Sequence, residues 1–81
     1  MLVYIMRHGQ AEMMAKSDAL RPLTPVGEAE SVKMARWLAP QVNQLDCILC
    51  SPYLRAQQTL AALQPHLPAA KQIEELAFLT P

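Results

Sequence analysis

Two short clusters hold the side chains of this chain best suited to chemistry: Arg7-His8-Gly9 near its start, and Ser51-Pro52-Tyr53-Leu54-Arg55 further along. Two guanidinium groups offer forked donors that match phosphoryl oxygens. A neutral imidazole held between them can attack phosphorus while they absorb the charge that develops in the transition state. Gly9, with no side chain, lets the backbone pass close to such a group. For this chemistry, the surrounding elements must bring positions 7, 8 and 55 together.

Residues 2–6 are a short, continuous apolar run that stops at Arg7, the pattern of a strand buried on both faces in a parallel sheet. Residues 10–22 are mixed and polar around Lys16-Ser17-Asp18, and read as a long functional loop with one irregular turn. Thr24 followed by Pro25 fits an N-cap with proline in the first helical position, predicting a helix over 25–39 that Pro40 stops. Its inner side is expected to carry Val26, Ala29, Val32, Lys33, Trp37 and Leu38, opposite Glu28 and Arg36. Residues 47–50, apolar and too short for a helix, predict a second strand, and Ser51-Pro52 repeats the cap-then-proline signal. The helix it opens carries Leu54, Leu60 and Leu63 on one side and ends before Pro65. A turn through His66-Leu67-Pro68 and a third strand over 71–76 follow.

Strands alternating with helices imply right-handed crossovers and a parallel sheet with flanking helices, an α/β fold. The C-terminal ends of such strands share one edge, where ligands bind. Arg7 and His8 then follow one strand and Ser51 another. Arg55 lies in the first turn of a helix, leaning toward free backbone N–H groups that favour an anion.

The ordered set of Arg7-His8-Gly9, then Leu23-Thr24-Pro25-Val26-Gly27 opening a helix, then Ser51-Pro52-Tyr53-Leu54-Arg55-Ala56-Gln57-Gln58-Thr59 after a strand resembles the histidine phosphatase superfamily. The loop with Ser17-Asp18 and Arg21-Pro22-Leu23-Thr24 is most similar to its SixA-type phosphohistidine phosphatases. The resemblance covers essentially the whole chain but only the N-terminal part of the family domain. It implies a phosphoglycerate-mutase-like three-layer α/β/α fold, incomplete here. It also implies that His8 is the nucleophile that becomes phosphohistidine and that Arg7 and Arg55 clamp the phosphoryl group. Arg21 matches a loop arginine of the pocket, and Gly9 and Ser51 complete the expected substrate-binding set.

The family's second histidine is expected beyond Pro81; His66, in its proline-flanked context, does not match it. Mutase-like relatives place a glutamate shortly after the second helix, and Glu74 and Glu75 are the nearby carboxylates here. A phosphohistidine leaves as an imidazole, which needs less protonation than an alkoxide, so a missing acid would suit that substrate class. The activity implied is a phosphatase, free of metal or other cofactor, acting on a phosphohistidine-bearing phosphotransfer domain of a sensor kinase. Two alternatives stand beside it: a phosphatase or mutase of small phosphomonoesters, and a non-catalytic fragment that binds phosphate or a phosphorylated partner. The 81 residues alone, without the second histidine, are expected to turn over slowly.

Length and composition agree with one globular unit over 1–81: seven basic residues balance seven acidic ones, and 52% of the chain is hydrophobic. The charges form no run, so neither nucleic acid nor an anionic membrane surface is an expected partner. Residues 2–6 are too short for a signal peptide or a membrane span, and a cytoplasmic address with reduced Cys47 and Cys50 is expected. Three residues apart on a strand, the two thiols point to opposite faces and are expected to pack in the core rather than meet. Met13 and Met14 are expected to pack within their loop, Tyr53 to line or fill the pocket rim, and Glu28 and Glu30 to form a solvated helix face. Three strands and two helices cannot cover both faces of a sheet, so self-association through an exposed apolar face is expected.

Overall fold

A computed structural model of the chain describes residues 2–80; Met1 and Pro81, the ends of the expected unit, lie outside the described residues. The element order is α1 (Pro25–Leu38), β1 (Leu45–Cys50), α2 (Leu54–Leu63) and β2 (Ala70–Glu75). Short 3-10 turns occupy Asp18–Leu20, Ala39–Gln41 and Gln64–His66.

The start of α1 follows from its first residues. Thr24 is extended, with φ −77° and ψ 166°, and its hydroxyl accepts from the Gly27 N–H at 3.0 Å, while Pro25 occupies the first turn. The helix ends one residue before the expected boundary, where the chain tightens into the Ala39–Gln41 turn around Pro40. Its buried stripe is Gly27, Ser31, Ala35 and Leu38, rather than the expected apolar face. Val26 and Trp37 are instead 58% and 64% exposed. Small residues won this face because the backbone of residues 9–10 and helix α2 lie close against it, leaving no room for branched or aromatic side chains. The buried Ser31 hydroxyl is satisfied by donating to the Gly27 carbonyl at 2.9 Å.

In α2 the buried stripe is Arg55, Thr59 and Leu63, with Leu54 and Leu60 half-buried. Thr59 donates back to the Arg55 carbonyl at 2.8 Å. The apolar core is Ala35, Leu38, Val42 and Leu63, at the contact of α1 with α2.

Strands β1 and β2 pair in parallel, with Leu45 opposite Ala70 and Cys50 opposite Glu75, and α2 forms the crossover between them. The α/β class and both of these strands agree with the sequence pattern. Residues 2–6 do not form the expected strand. Among the described residues their backbone joins no ladder, and Leu2 and Ile5 are 83% and 93% exposed. An apolar run shows that a segment gains by burial without saying what buries it. Two strands and two helices supply no partner strand or covering layer for it. The loop that follows is pinned at its base by an antiparallel bridge between Ala11 and Leu23 and by the Glu12 N–H donating to Pro22 at 2.8 Å. Among the described residues no helix is long and apolar enough to cross a membrane.

Candidate active site

His8 stands at the end of the apolar N-terminal run, and both of its ring nitrogens are engaged. Nδ1 lies 2.7 Å from the Gly9 carbonyl. A carbonyl only accepts, so Nδ1 carries the proton and Nε2 presents its lone pair. That lone pair accepts from the Nε–H of Arg55 at 3.1 Å. The imidazole is thus neutral and fixed as one tautomer, with the lone pair of Nε2 turned toward a guanidinium.

Gly9 permits a close approach, and in the structure the approach is to α1. A Cβ on Gly9 would lie 2.8 Å from the Gly27 Cα, and one on Gly27 would meet the Gln10 backbone, with its nitrogen 2.8 Å away. Two glycines therefore set the depth at which the His8 segment rests on α1. Glu30, expected on a solvated face, accepts from the Gln10 N–H at 2.9 Å and fixes the same segment. Thr24 N–H donates to the Gln10 carbonyl at 2.9 Å.

Arg55 is only 5% exposed, yet its guanidinium is well partnered. Besides His8, it donates through Nη1 to the Asp18 carbonyl at 2.7 Å and to Asp18 Oδ1 at 3.4 Å, and through Nη2 to Asp18 Oδ2 at 3.2 Å. The Tyr53 ring lies beneath it, 4.9 Å from ring centre to guanidinium carbon, so Tyr53 is a stacking partner of Arg55. A buried cation persists only with such compensation.

The Ser51-Pro52 signal does not begin the helix. The chain turns there first, with Ser51 Oγ accepting from the Tyr53 N–H at 3.2 Å, and α2 starts at Leu54 behind an N-cap Tyr53 that makes no side-chain cap. The physical reason is that two residues are spent leaving the sheet after Cys50. Arg55 still falls in the first turn of α2, as the sequence implied. Gln58, on α2, accepts from the Leu23 N–H at 2.7 Å and ties the loop to the helix.

Arg21 reaches the edge of this constellation. Its Nε donates to the Glu12 carbonyl at 2.6 Å and its Nη1 to Asp18 Oδ1 at 3.0 Å. Asp18 therefore bridges Arg21 and Arg55, and their hydrogen bonds, Arg21 first, hold its carboxyl below the ordinary value of 3.8. In the sequence Ser17-Asp18 belongs to a loop motif in which the carboxylate has no evident task. The local signal was its position three residues before Arg21.

Arg7 lines a hollow of about 180 Å³ together with Met6, His8, Gly9, Glu30, Ser31 and Met34. It shares that hollow with His8, but among the described residues it makes no hydrogen bond to His8, Arg55 or Asp18. His66 is exposed in the turn after α2. Glu74 and Glu75 are exposed on β2, and Glu75 stands opposite Cys50 at the strand end. Cys47 is exposed, against the expected core packing, because the outer face of a two-stranded sheet has no layer over it. Cys50 is half-buried beside the Ala56 carbonyl, and burial, then the charge of Glu75, pushes its thiol upward. Met13 and Met14 are exposed rather than packed. Among the described residues no three His, Cys, Asp or Glu side chains converge as a metal site would require.

The family model described as the histidine phosphatase superfamily (branch 1) matches residues 3–79. The chain is 47% identical over 81 residues to phosphohistidine phosphatase SixA of Escherichia coli (strain K12), covering 100% of this chain and 50% of that protein. It is also 47% identical over 64 residues to a SixA homolog of Haemophilus influenzae, covering 73% of this chain and 39% of that one. The chain spans about half the length, or less, of these curated relatives. A solved structure of the protein histidine phosphatase SixA complexed with tungstate is similar with a TM-score of 0.86 at 46% identity, over 94% of this chain and 49% of that one.

Proposed function

Because the chain belongs to the histidine phosphatase superfamily, branch 1, we propose that it carries the nucleophile half of a phosphohistidine phosphatase site. His8 Nε2 attacks the phosphorus of a phosphohistidine on another protein. The phosphorus–nitrogen bond of the substrate breaks, a phosphorus–Nε2 bond forms, and the departing imidazole takes up a proton. Water then cleaves phospho-His8 to phosphate and restores the free imidazole. The observation that carries this reading is the neutral His8 ring, whose Nδ1–H is anchored on the Gly9 carbonyl while Nε2 meets the Arg55 Nε–H at 3.1 Å.

In this scheme Arg55 and Arg7 hold the phosphoryl oxygens, and Arg21, Gly9 and Ser51 border the substrate. The first turn of α2 adds its backbone dipole on the same side. No metal or other cofactor is invoked. The family's second histidine belongs, on this reading, outside residues 1–81, since His66 is placed in an exposed turn. The proposed substrate is a phosphotransfer domain of a sensor kinase, met by this chain in the cytoplasm, which makes the role one of signal transduction.

The test uses the full chain that contains these residues. Turnover of a phosphohistidine-bearing phosphotransfer domain is compared with turnover of a sugar phosphate, and the protein is expected to prefer the former. A clear preference for the sugar phosphate would replace this reading with a small-molecule phosphomonoesterase. Phosphate binding without turnover of either would replace it with a binding module.

A further inference from the structure

Asp18 is the residue that the chemistry above leaves unused. A guanidinium group presents two usable edges to an oxyanion: the end-on edge of Nη1 and Nη2, and the side-on edge of Nε and Nη2. The Asp18 carboxylate takes the end-on edge of Arg55, with Oδ1 at 3.4 Å from Nη1 and Oδ2 at 3.2 Å from Nη2, and its own carbonyl adds a contact to Nη1 at 2.7 Å. Of the five N–H bonds of Arg55, the one on Nε points to His8, two on Nη1 and one on Nη2 point to Asp18, and the remaining Nη2 proton has no partner among the described residues. The unpartnered Nη2 proton lies on the side-on edge, whose other donor, Nε–H, is held by His8 Nε2 and is released when that nitrogen bonds phosphorus.

We propose, resting on the phosphoryl-transfer reading above, that Asp18 is a positioning residue that selects the edge of Arg55 turned toward the nucleophile. By engaging the end-on edge, it leaves one Nη2–H, together with the Nε–H that His8 Nε2 gives up on bonding phosphorus, for the oxygens of a phosphoryl group on His8. Asp18 is itself fixed from behind. Arg21 donates to Oδ1 at 3.0 Å and is anchored in turn on the Glu12 carbonyl at 2.6 Å. A continuous chain thus runs from the backbone of the 10–22 loop through Arg21, Asp18 and Arg55 to the imidazole. The Asp18 carboxylate is half-exposed, 48% at its side chain, and so does not isolate Arg55 from solvent. Its contribution is orientation, since the buried Arg55 has two available edges and only one serves the reaction.

Three readouts on the full chain test this with Asp18→Asn, which keeps the shape and the backbone carbonyl but replaces one acceptor oxygen with a donor. First, kcat on a phosphohistidine protein is expected to fall by about 10²-fold, the effect of a catalytic group misplaced by about an ångström. Second, the dissociation constant for inorganic phosphate is expected to hold or tighten, because an anion has been removed from between two cations. Third, the 15N resonance of His8 Nε2 is expected to move as its bond from Arg55 is lost. Asp18→Glu, which can regain the end-on edge, is expected to recover part of both the rate and the resonance position. The proposal is overturned if Asp18→Asn leaves the rate and the resonance unchanged, or if rate, phosphate affinity and thermal stability fall together as they would for a merely structural residue. The resonance and the phosphate affinity need no turnover. A parent chain inactive on phosphohistidine would thus reject the functional reading, and these two measurements would still decide the role of Asp18.

Discussion

At the scale of single residues, the site depends on which atoms of His8 and Arg55 face each other. A lysine in place of Arg55 offers one point charge where the guanidinium offers a fork, and it cannot hold Asp18 and His8 at once. Arg55→Lys is therefore expected to lower kcat by about 10² or more, measured on a phosphohistidine protein, the usual cost of losing a donor aimed at developing charge. Asp18 also has a definite pH behaviour. Its folded-state pKa lies below the ordinary 3.8, so its link to Arg21 and Arg55 contributes fully above that value and is lost as pH falls through the lowered folded value. The Asp18 side-chain carboxyl 13C resonance is accordingly expected to keep its ionised position down to about pH 5 and to titrate only in stronger acid, below the ordinary carboxylate value; titration above that value would contradict the assignment. Arg7, His8 and Arg55 were legible in the sequence because their types and flanking glycine and proline residues are distinctive. Asp18 was not, because its partner Arg55 lies 37 positions away and no local pattern records a long-range ion pair.

At the scale of elements, the position of His8 is set by how α1 begins. Thr24 caps the helix, and Thr24→Ala is expected to cost about 1 kcal/mol in chemical denaturation. Gly27 gives a sharper test. In an exposed helix interior, Gly→Ala stabilises by up to about 1 kcal/mol. Here the added Cβ would run into the Gln10 backbone, so Gly27→Ala is expected to destabilise the chain and shift the His8 resonances. A gain in stability would show that the contact is loose. Caps and prolines made both limits of α1 and the end of α2 readable, a short apolar run located β1 to within two residues, and β2 lies one residue from the expected segment. The inner face of α1 is not legible from its apolar residues, because a close backbone approach selects Gly27, Ser31 and Ala35. The 2–6 run differs from its pattern for a related reason: its composition states a preference for burial, and the pairing that makes a strand depends on partners elsewhere.

At the scale of the whole molecule, small buried content and large exposed apolar surface stand side by side. Leu2, Ile5, Trp37 and Phe78 are all well exposed, as are Leu49 and Ile73 on the two-stranded sheet. Surfaces of this kind drive association, so the 81-residue chain by itself is expected to scatter light as a species larger than a monomer, and a stable monomer at micromolar concentration would contradict this. The same chain, with no second histidine beside His8, is expected to turn over slowly even where it accepts a phosphoryl group. The proposed role of His8 rests on that acceptance. The most direct test is to mix the full chain with a protein carrying 32P-phosphohistidine, quench within milliseconds, and locate the label by mass spectrometry. An acid-labile, base-stable phosphoryl group is expected on His8 and absent from His8→Ala; label on any other residue, or hydrolysis that proceeds unimpaired in His8→Ala, would contradict that role.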